Sequence, residues 1–302
     1  MFSFKIKNYE FNSPIILSSG TFGYGYEAID MMDQRKIGCI ITKSITLQKR
    51  EGNSHSRIHE SPSGMLNAIG LANVGLDTFC KKQLPKLNKI NTKFLISIAG
   101  SDLEEYSQII NTLETCGGNH IGYEINVSCP NVAKGGLDFG VNGNIINKLI
   151  TKLRPLTDRL IITKLTPNVT DISEIAQAAE DGGSDVISAV NTFLGLSIDY
   201  KTGKTDLSTK FGGISGPAIK PLALAKINKI YESVKIPIFG MGGISNYKDI
   251  IEFIRAGSSM IQIGTLNYRD PSSGSKIYDD LNLFCSENKI KDISELKGNN
   301  HA

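Results

Sequence analysis

Three side chains in this sequence have the type and setting for chemistry. Cys129 lies in Glu124-Ile-Asn-Val-Ser-Cys-Pro-Asn-Val132, and Pro130 forces it out of helical geometry into an extended or turn conformation. A thiol held there could act as a general base if its surroundings lower its pKa. Taken alone, a single cysteine is more often an inert buried side chain. Lys164 ends Leu160-Ile-Ile-Thr-Lys164, and Lys43 ends Ile40-Ile-Thr-Lys43. An amine at the end of an apolar run could stabilise negative charge on a ligand, and a surface lysine is the plainer alternative. Two glycine segments, Gly240-Met-Gly-Gly-Ile244 and Gly264-Thr265, could bring backbone N–H groups against an anion, or could simply be tight turns.

Something must hold these groups together. Short β-branched runs alternate with amphipathic stretches, the pattern of a parallel α/β fold. Eight strands are predicted, over residues 14–18, 38–42, 94–98, 122–127, 160–164, 185–190, 237–239 and 260–263. Asp171 can cap a helix whose Ile172, Ile175, Ala176 and Ala179 form one face before Gly182-Gly183 stops it. Asn246 can cap another, with Ile250, Ile251 and Ile254 inward and Gly257 as the stop. Residues 104–116 end in Gly117-Gly118 in the same manner. Eight strands with helices between them predict a (β/α)8 TIM barrel, one domain over residues 1–302.

In such a barrel the chemistry belongs at the C-terminal strand ends. Those positions hold Ser19, Lys43, Ser97, Asn126 with Cys129, Lys164, Asn191-Thr192, Gly242-Gly243 and Gly264-Thr265. Inward lysines there would be buried charges in need of partners. Segments 46–73 and 191–213 are too long for simple connections, and long ordered loops usually serve function. The glycine-rich 200–213 reads as a lid or a partner surface.

Composition excludes several classes. Apolar residues make up 40% of the 302, enough for a full core, so disorder is out. A net charge of +3 with no basic run gives no case for nucleic acid. Five widely spaced cysteines form neither a disulfide framework nor a metal signature, which predicts a reducing cytoplasm and no metal. No run of 18 apolar residues exists, so no membrane span is expected, and the N-terminus lacks a signal-peptide core.

Taken in order, Ser18-Ser-Gly20, Thr42-Lys-Ser44, Gly64-Met-Leu-Asn-Ala-Ile-Gly-Leu71, Glu124–Val132, Lys164-Leu-Thr-Pro-Asn-Val169, Asn191-Thr192, Gly212-Gly-Ile-Ser-Gly-Pro-Ala218 and the two glycine segments resemble the dihydroorotate dehydrogenases of class 1. Asn-x-Ser-Cys-Pro-Asn and Met-Leu-Asn-Ala-Ile-Gly are the most specific of these pieces. The resemblance implies FMN held by Ser19, Lys43, Ser44, Asn126, Lys164, Val190, Gly216, Gly242, Gly243, Gly264 and Thr265. It implies dihydroorotate held by Lys43, Asn67, Ala68, Ile69, Gly70, Leu71, Asn126, Asn191 and Thr192. Cys129 would then take the C5 proton while hydride leaves C6 for flavin N5. Amide side chains suit the edges of a pyrimidine ring, and Lys43 suits its carboxylate.

The family commonly carries Asn where this chain has Ser97, which puts a direct flavin contact there in doubt. Cys129 and the short N-terminus differ from the membrane-bound class, whose base is serine. Asn131-Val-Ala-Lys-Gly-Gly136 is more similar to the type that passes electrons to NAD through a partner subunit with FAD and a 2Fe-2S cluster, as a homodimer core or heterotetramer. The fumarate-linked type, the pyrimidine-reducing half of a dihydropyrimidine dehydrogenase, and a non-catalytic barrel that binds a phosphorylated ligand remain the alternatives at this point.

Overall fold

The computed structural model describes residues 2–127 and 140–300. Eight parallel strands close into a barrel in strict chain order. They are β1 (Ile15–Leu17), β2 (Cys39–Ile41), β3 (Phe94–Ile98), β4 (Gly122–Asn126), β5 (Leu160–Lys164), β6 (Val186–Ala189), β7 (Ile238–Met241) and β8 (Met260–Ile263). Closure comes from β8 pairing with β1, where Ile261 partners Ile15 and Ile263 partners Leu17. The TIM barrel expected from the sequence is therefore the fold.

The strands read as continuous apolar runs because both of their faces are covered. Side chains alternate across each strand, so one parity faces the helices and the other faces the barrel axis. Ile15, Leu17, Ile96, Ile125, Ile161 and Ile187 pack outward with the helices. Ile16, Cys39, Ile41, Leu95, Leu160, Ile162, Val186, Phe239 and Met260 fill the inside. A hairpin of Phe4–Ile6 and Tyr9–Phe11 plugs the N-terminal end, with Ile6 and Phe11 joining the inner cluster.

Local signals set the helices that brace the barrel. The Asp171 side chain accepts from the Ser173 N–H at 2.9 Å and starts Ile172–Asp181, with Gly182 as its C-cap. Asn246 makes a capping box with Asp249 at the head of Tyr247–Arg255. The Asp102 side chain caps Leu103–Thr115 by accepting from the Glu105 N–H at 2.9 Å. Further helices, Gly143–Leu153, Lys220–Ser233 and Ser273–Glu287, complete the outer layer. No helix among the described residues is long and apolar enough to cross a membrane.

Two differences from the sequence reading bear on the site. The seventh strand, expected to end at residue 239, runs to Met241, whose carbonyl accepts from the Val190 N–H at 3.2 Å. Gly240 and Met241 are thus strand, and the loop begins at Gly242. The two long loops, for their part, join in one antiparallel sheet in the order Phe193–Gly195, Gly212–Ser215, Gly64–Asn67 and Ile58–Ser61. Asn67 pairs with Gly213 and Met65 with Ser215 across that sheet.

Candidate active site

Moving up the barrel axis toward the C-terminal rim, the inward positions change from apolar to polar. On β5 the order is Leu160, Ile162, Lys164; on β4 it is Gly122, Glu124, Asn126; on β8 it is Met260, Gln262. Lys164 is 4% exposed, so its charge needs partners. Its Nζ donates to Ser19 Oγ at 2.8 Å and lies 3.6 Å from Glu124 Oε1. Ser188 on β6 donates to the other Glu124 oxygen at 3.1 Å, and Gln262 Nε2 donates to Ser188 Oγ at 2.7 Å.

Above this layer a second chain of hydrogen bonds fixes Asn126. Its amide donates to Ser44 Oγ at 3.2 Å, and Ser44 shares a 2.8 Å hydrogen bond with Ser97. Tyr106 donates its phenolic O–H to the Asn126 carbonyl at 2.8 Å. Ser97 is fully buried and supports Ser44 from beneath, outside the cavity wall.

A cavity of about 750 Å³ opens at this rim, within the size range of cofactor and ligand sites. Ser19, Lys43, Ser44, Asn126, Lys164, Val190, Gly242, Gly243, Gly264 and Thr265 line it, and so do Asn67, Ala68, Ile69, Gly70, Leu71, Asn191 and Thr192. Of the described residues that the resemblance assigns to FMN or dihydroorotate, Gly216 alone is absent from the lining. It follows the strand Gly212–Ser215, and its carbonyl oxygen stands 2.8 Å from where a Cβ on Gly243 would be. Gly243, at φ +78°, therefore has to be glycine, and Gly216 acts by packing against it. Cys129 falls outside the described residues.

Lys43 is half-buried at the cavity wall, and its side-chain amine has no hydrogen-bond partner among the described residues. Burial first, and then the nearby Arg57 guanidinium, push its amine below the usual lysine range. Arg57 also donates to the Asn53 carbonyl and, at 2.8 Å, to that of Glu51, tying down the loop that carries Asn67 to Leu71. Within that loop Gly70 has φ +72°, and a Cβ there would meet the Asn53 backbone nitrogen at 2.6 Å. Only glycine fits so close an approach.

Several residues of the site had no assigned role in the sequence. Asn53 donates to the Ala68 carbonyl at 3.0 Å, beside Asn67, an expected site residue whose amide donates to the Gly213 carbonyl at 3.2 Å. Asn168 donates to the Thr192 carbonyl at 3.1 Å and accepts from the Leu194 N–H at 2.9 Å. Thr209 and Phe211 bring the 200–213 segment to the cavity mouth, and Ser208 anchors it to the first loop through the Ser56 carbonyl at 2.8 Å. Tyr268, also on the wall, donates to the Gly20 carbonyl at 2.7 Å. Glu124 and Gln262 did carry a signal: each is polar inside an apolar strand, at the inward parity.

Comparison with known proteins places this geometry. The family profile described as dihydroorotate dehydrogenase matches residues 1–284. A Parabacteroides distasonis protein named dihydroorotate dehydrogenase B (NAD(+)), catalytic subunit, is 45% identical over 293 residues, covering 97% of this chain and 96% of the relative. Proteins of the same name from Bacteroides thetaiotaomicron and Geotalea uraniireducens are 43% and 41% identical, each covering 98% of this chain and 97% of the relative. With the match running through the barrel and both loops that roof its mouth, this chain belongs to the dihydroorotate dehydrogenase family.

Proposed function

We propose that this protein oxidises dihydroorotate to orotate in pyrimidine synthesis, with FMN as its cofactor, as the catalytic subunit of an NAD-linked enzyme. The observation that carries the reading is convergence: two lysines, the amides of Asn67, Asn126 and Asn191, and the glycine loops after β7 and β8 all line one cavity. The names of the relatives support the NAD-linked, multi-subunit form. The partner that the resemblance implies would carry FAD and a 2Fe-2S cluster.

The residues present fit FMN. Missing side chains leave room for a broad flat group: a Cβ at Gly20 would meet nothing within 4 Å, and one at Gly264 nothing nearer than 3.8 Å. The backbone after Gly242 and Gly264 suits a phosphate, as loops at this place in a barrel often do. When bound, FMN supplies the hydride acceptor. Lys164, with Ser19 beside it, would meet negative charge on the flavin's pyrimidine side, and Ser44 and Asn126 would orient its edge.

The chain's own groups do the rest. The Lys43 amine takes the carboxylate of dihydroorotate, and Asn67, Asn126, Asn191 and Thr192 read its ring amides. The joined loop sheet covers the mouth and excludes water. Cys129, three residues beyond Asn126 in the sequence, takes the C5 proton. Anaerobic titration of the FMN-loaded protein with dihydroorotate tests the reading. Bleaching of the flavin absorbance is expected, with reoxidation by NAD once the partner subunit is added. A flavin spectrum that dihydroorotate leaves unchanged would overturn it.

A further inference from the structure

Beneath the cavity lies a charge to which the reaction assigns no task. Glu124 is wholly buried on β4, one inward position below Asn126, among the fully buried Ile41, Leu95 and Ile162. Its two carboxylate oxygens are held unequally. Oε2 accepts from Ser188, which itself accepts from Gln262. Oε1 has no hydrogen bond among the described residues and faces Lys164 Nζ at 3.6 Å, just beyond hydrogen-bond reach. Lys164 instead donates to the neutral Ser19 hydroxyl at 2.8 Å. The pair is an ion pair without a hydrogen bond, with side chains 5% and 0% exposed.

At so short a distance and away from water, opposite charges compensate one another strongly. The distance is set from outside the pair, because Ser188 and Gln262 hold the carboxylate from the side of β6 and β8 while Ser19 holds the ammonium from beyond β1. A carboxylate that served only to neutralise the lysine would gain by closing to a direct hydrogen bond. Here it is kept off.

We propose that Glu124 is a positioning residue that sets how much of the Lys164 charge reaches the flavin, and thereby sets the flavin's reduction potential, with Ser188 and Gln262 fixing the setting. The proposal rests on the reading that FMN sits above Lys164. Removing the Glu124 charge leaves the ammonium uncompensated, which favours the reduced, negatively charged flavin and raises the potential. Removing only the Ser188 hydroxyl frees the carboxylate to close on Lys164, which lowers it. The two variants therefore have opposite signs, which a loss of packing would not produce.

The test is the midpoint potential of the FMN-loaded protein by spectroelectrochemistry, for the wild type, Glu124→Gln and Ser188→Ala. Glu124→Gln should shift the two-electron equilibrium at least tenfold toward reduction, a rise of about 30 mV. Ser188→Ala should shift it the other way by a smaller factor. Both variants at the wild-type potential within twofold, or both shifted in one direction, would overturn the proposal. If Glu124→Gln fails to fold, the sign of the Ser188→Ala shift decides by itself. Wild-type protein that takes up no FMN would overturn the functional reading and this inference together. A wild type that dihydroorotate bleaches, with variants that do not shift, would overturn only the inference.

Discussion

The two ends of the barrel interior are built from the same strands at the same parity, yet they have opposite chemistry. At the N-terminal end Cys39, Leu160, Val186, Phe239 and Met260 pack into a dry layer sealed by Ile6 and Phe11 of the hairpin. At the C-terminal end Glu124, Lys164, Ser188 and Gln262 form a buried polar layer, and the wall above it carries Lys43, Asn126 and the glycine loops. One step of two residues along a strand separates the regimes, as Ile162 gives way to Lys164 on β5. The lower layer supplies stability that the upper layer, with its buried ions and open cavity, does not. Conversely, the lower layer has no group that could meet a substrate.

Variants at each end should separate these roles. The largest effect is expected from Cys129→Ala, which should retain FMN and its melting temperature while losing about 10²–10⁴-fold in dihydroorotate oxidation at neutral pH, the usual contribution of a general base. Wild-type turnover in a steady-state assay would remove Cys129 from the mechanism. Phe239→Ala, at the opposite end, should cost about 3–5 kcal/mol of stability by opening a cavity in the inner cluster. Denaturant unfolding measures that loss. Below the transition the variant should still bind FMN, and if it bound none the two ends would not be separable.

Lys43→Ala comes next. It removes a charge-assisted contact to the substrate carboxylate, a contact worth about 1.5–3 kcal/mol. KM for dihydroorotate should rise by roughly 10- to 100-fold on that basis, with a smaller change in kcat. A variant whose kcat falls while KM holds would place Lys43 at the transition state rather than at the carboxylate.

The barrel was legible because a parallel strand covered on both faces is written as an uninterrupted apolar run, and all eight strands lie within about two residues of their expected bounds. The rim was legible because Lys43, Asn126 and Lys164 each end such a run. Harder to see was the sheet over the mouth. Its central contact, Asn67 to Gly213, spans 146 residues, and neither glycine-rich partner has a strong strand pattern of its own. Asn53 and Asn168 were hidden for a related reason, since they act on backbone carbonyls and N–H groups of other loops. Gly216 entered through resemblance alone, and in the structure its carbonyl packs against Gly243. Glu124 and Gln262 were readable in principle: extending the inward parity one step below each strand end reaches both.

The smallest expected effect concerns pH, and it examines the boundary between the polar wall and its loop. Burial and Arg57 both favour the neutral amine at Lys43, so its ammonium is lost at lower pH than that of an ordinary lysine. Only the ammonium attracts a carboxylate, so kcat/KM should fall on the alkaline side earlier than an unperturbed lysine would give. Arg57→Gln takes away the second cause and leaves burial, the larger one, in place. The alkaline limb should therefore move upward, but only part of the way to the ordinary value. Arg57→Lys keeps the positive charge and should leave the limb where it was, although both variants lose the guanidinium hydrogen bonds to the Asn53 and Glu51 carbonyls. A pH profile of kcat/KM for the three proteins distinguishes charge from loop anchoring: equal shifts in both variants would show that Arg57 acts on Lys43 through the loop, and a downward shift in Arg57→Gln would contradict the assignment of the limb to Lys43.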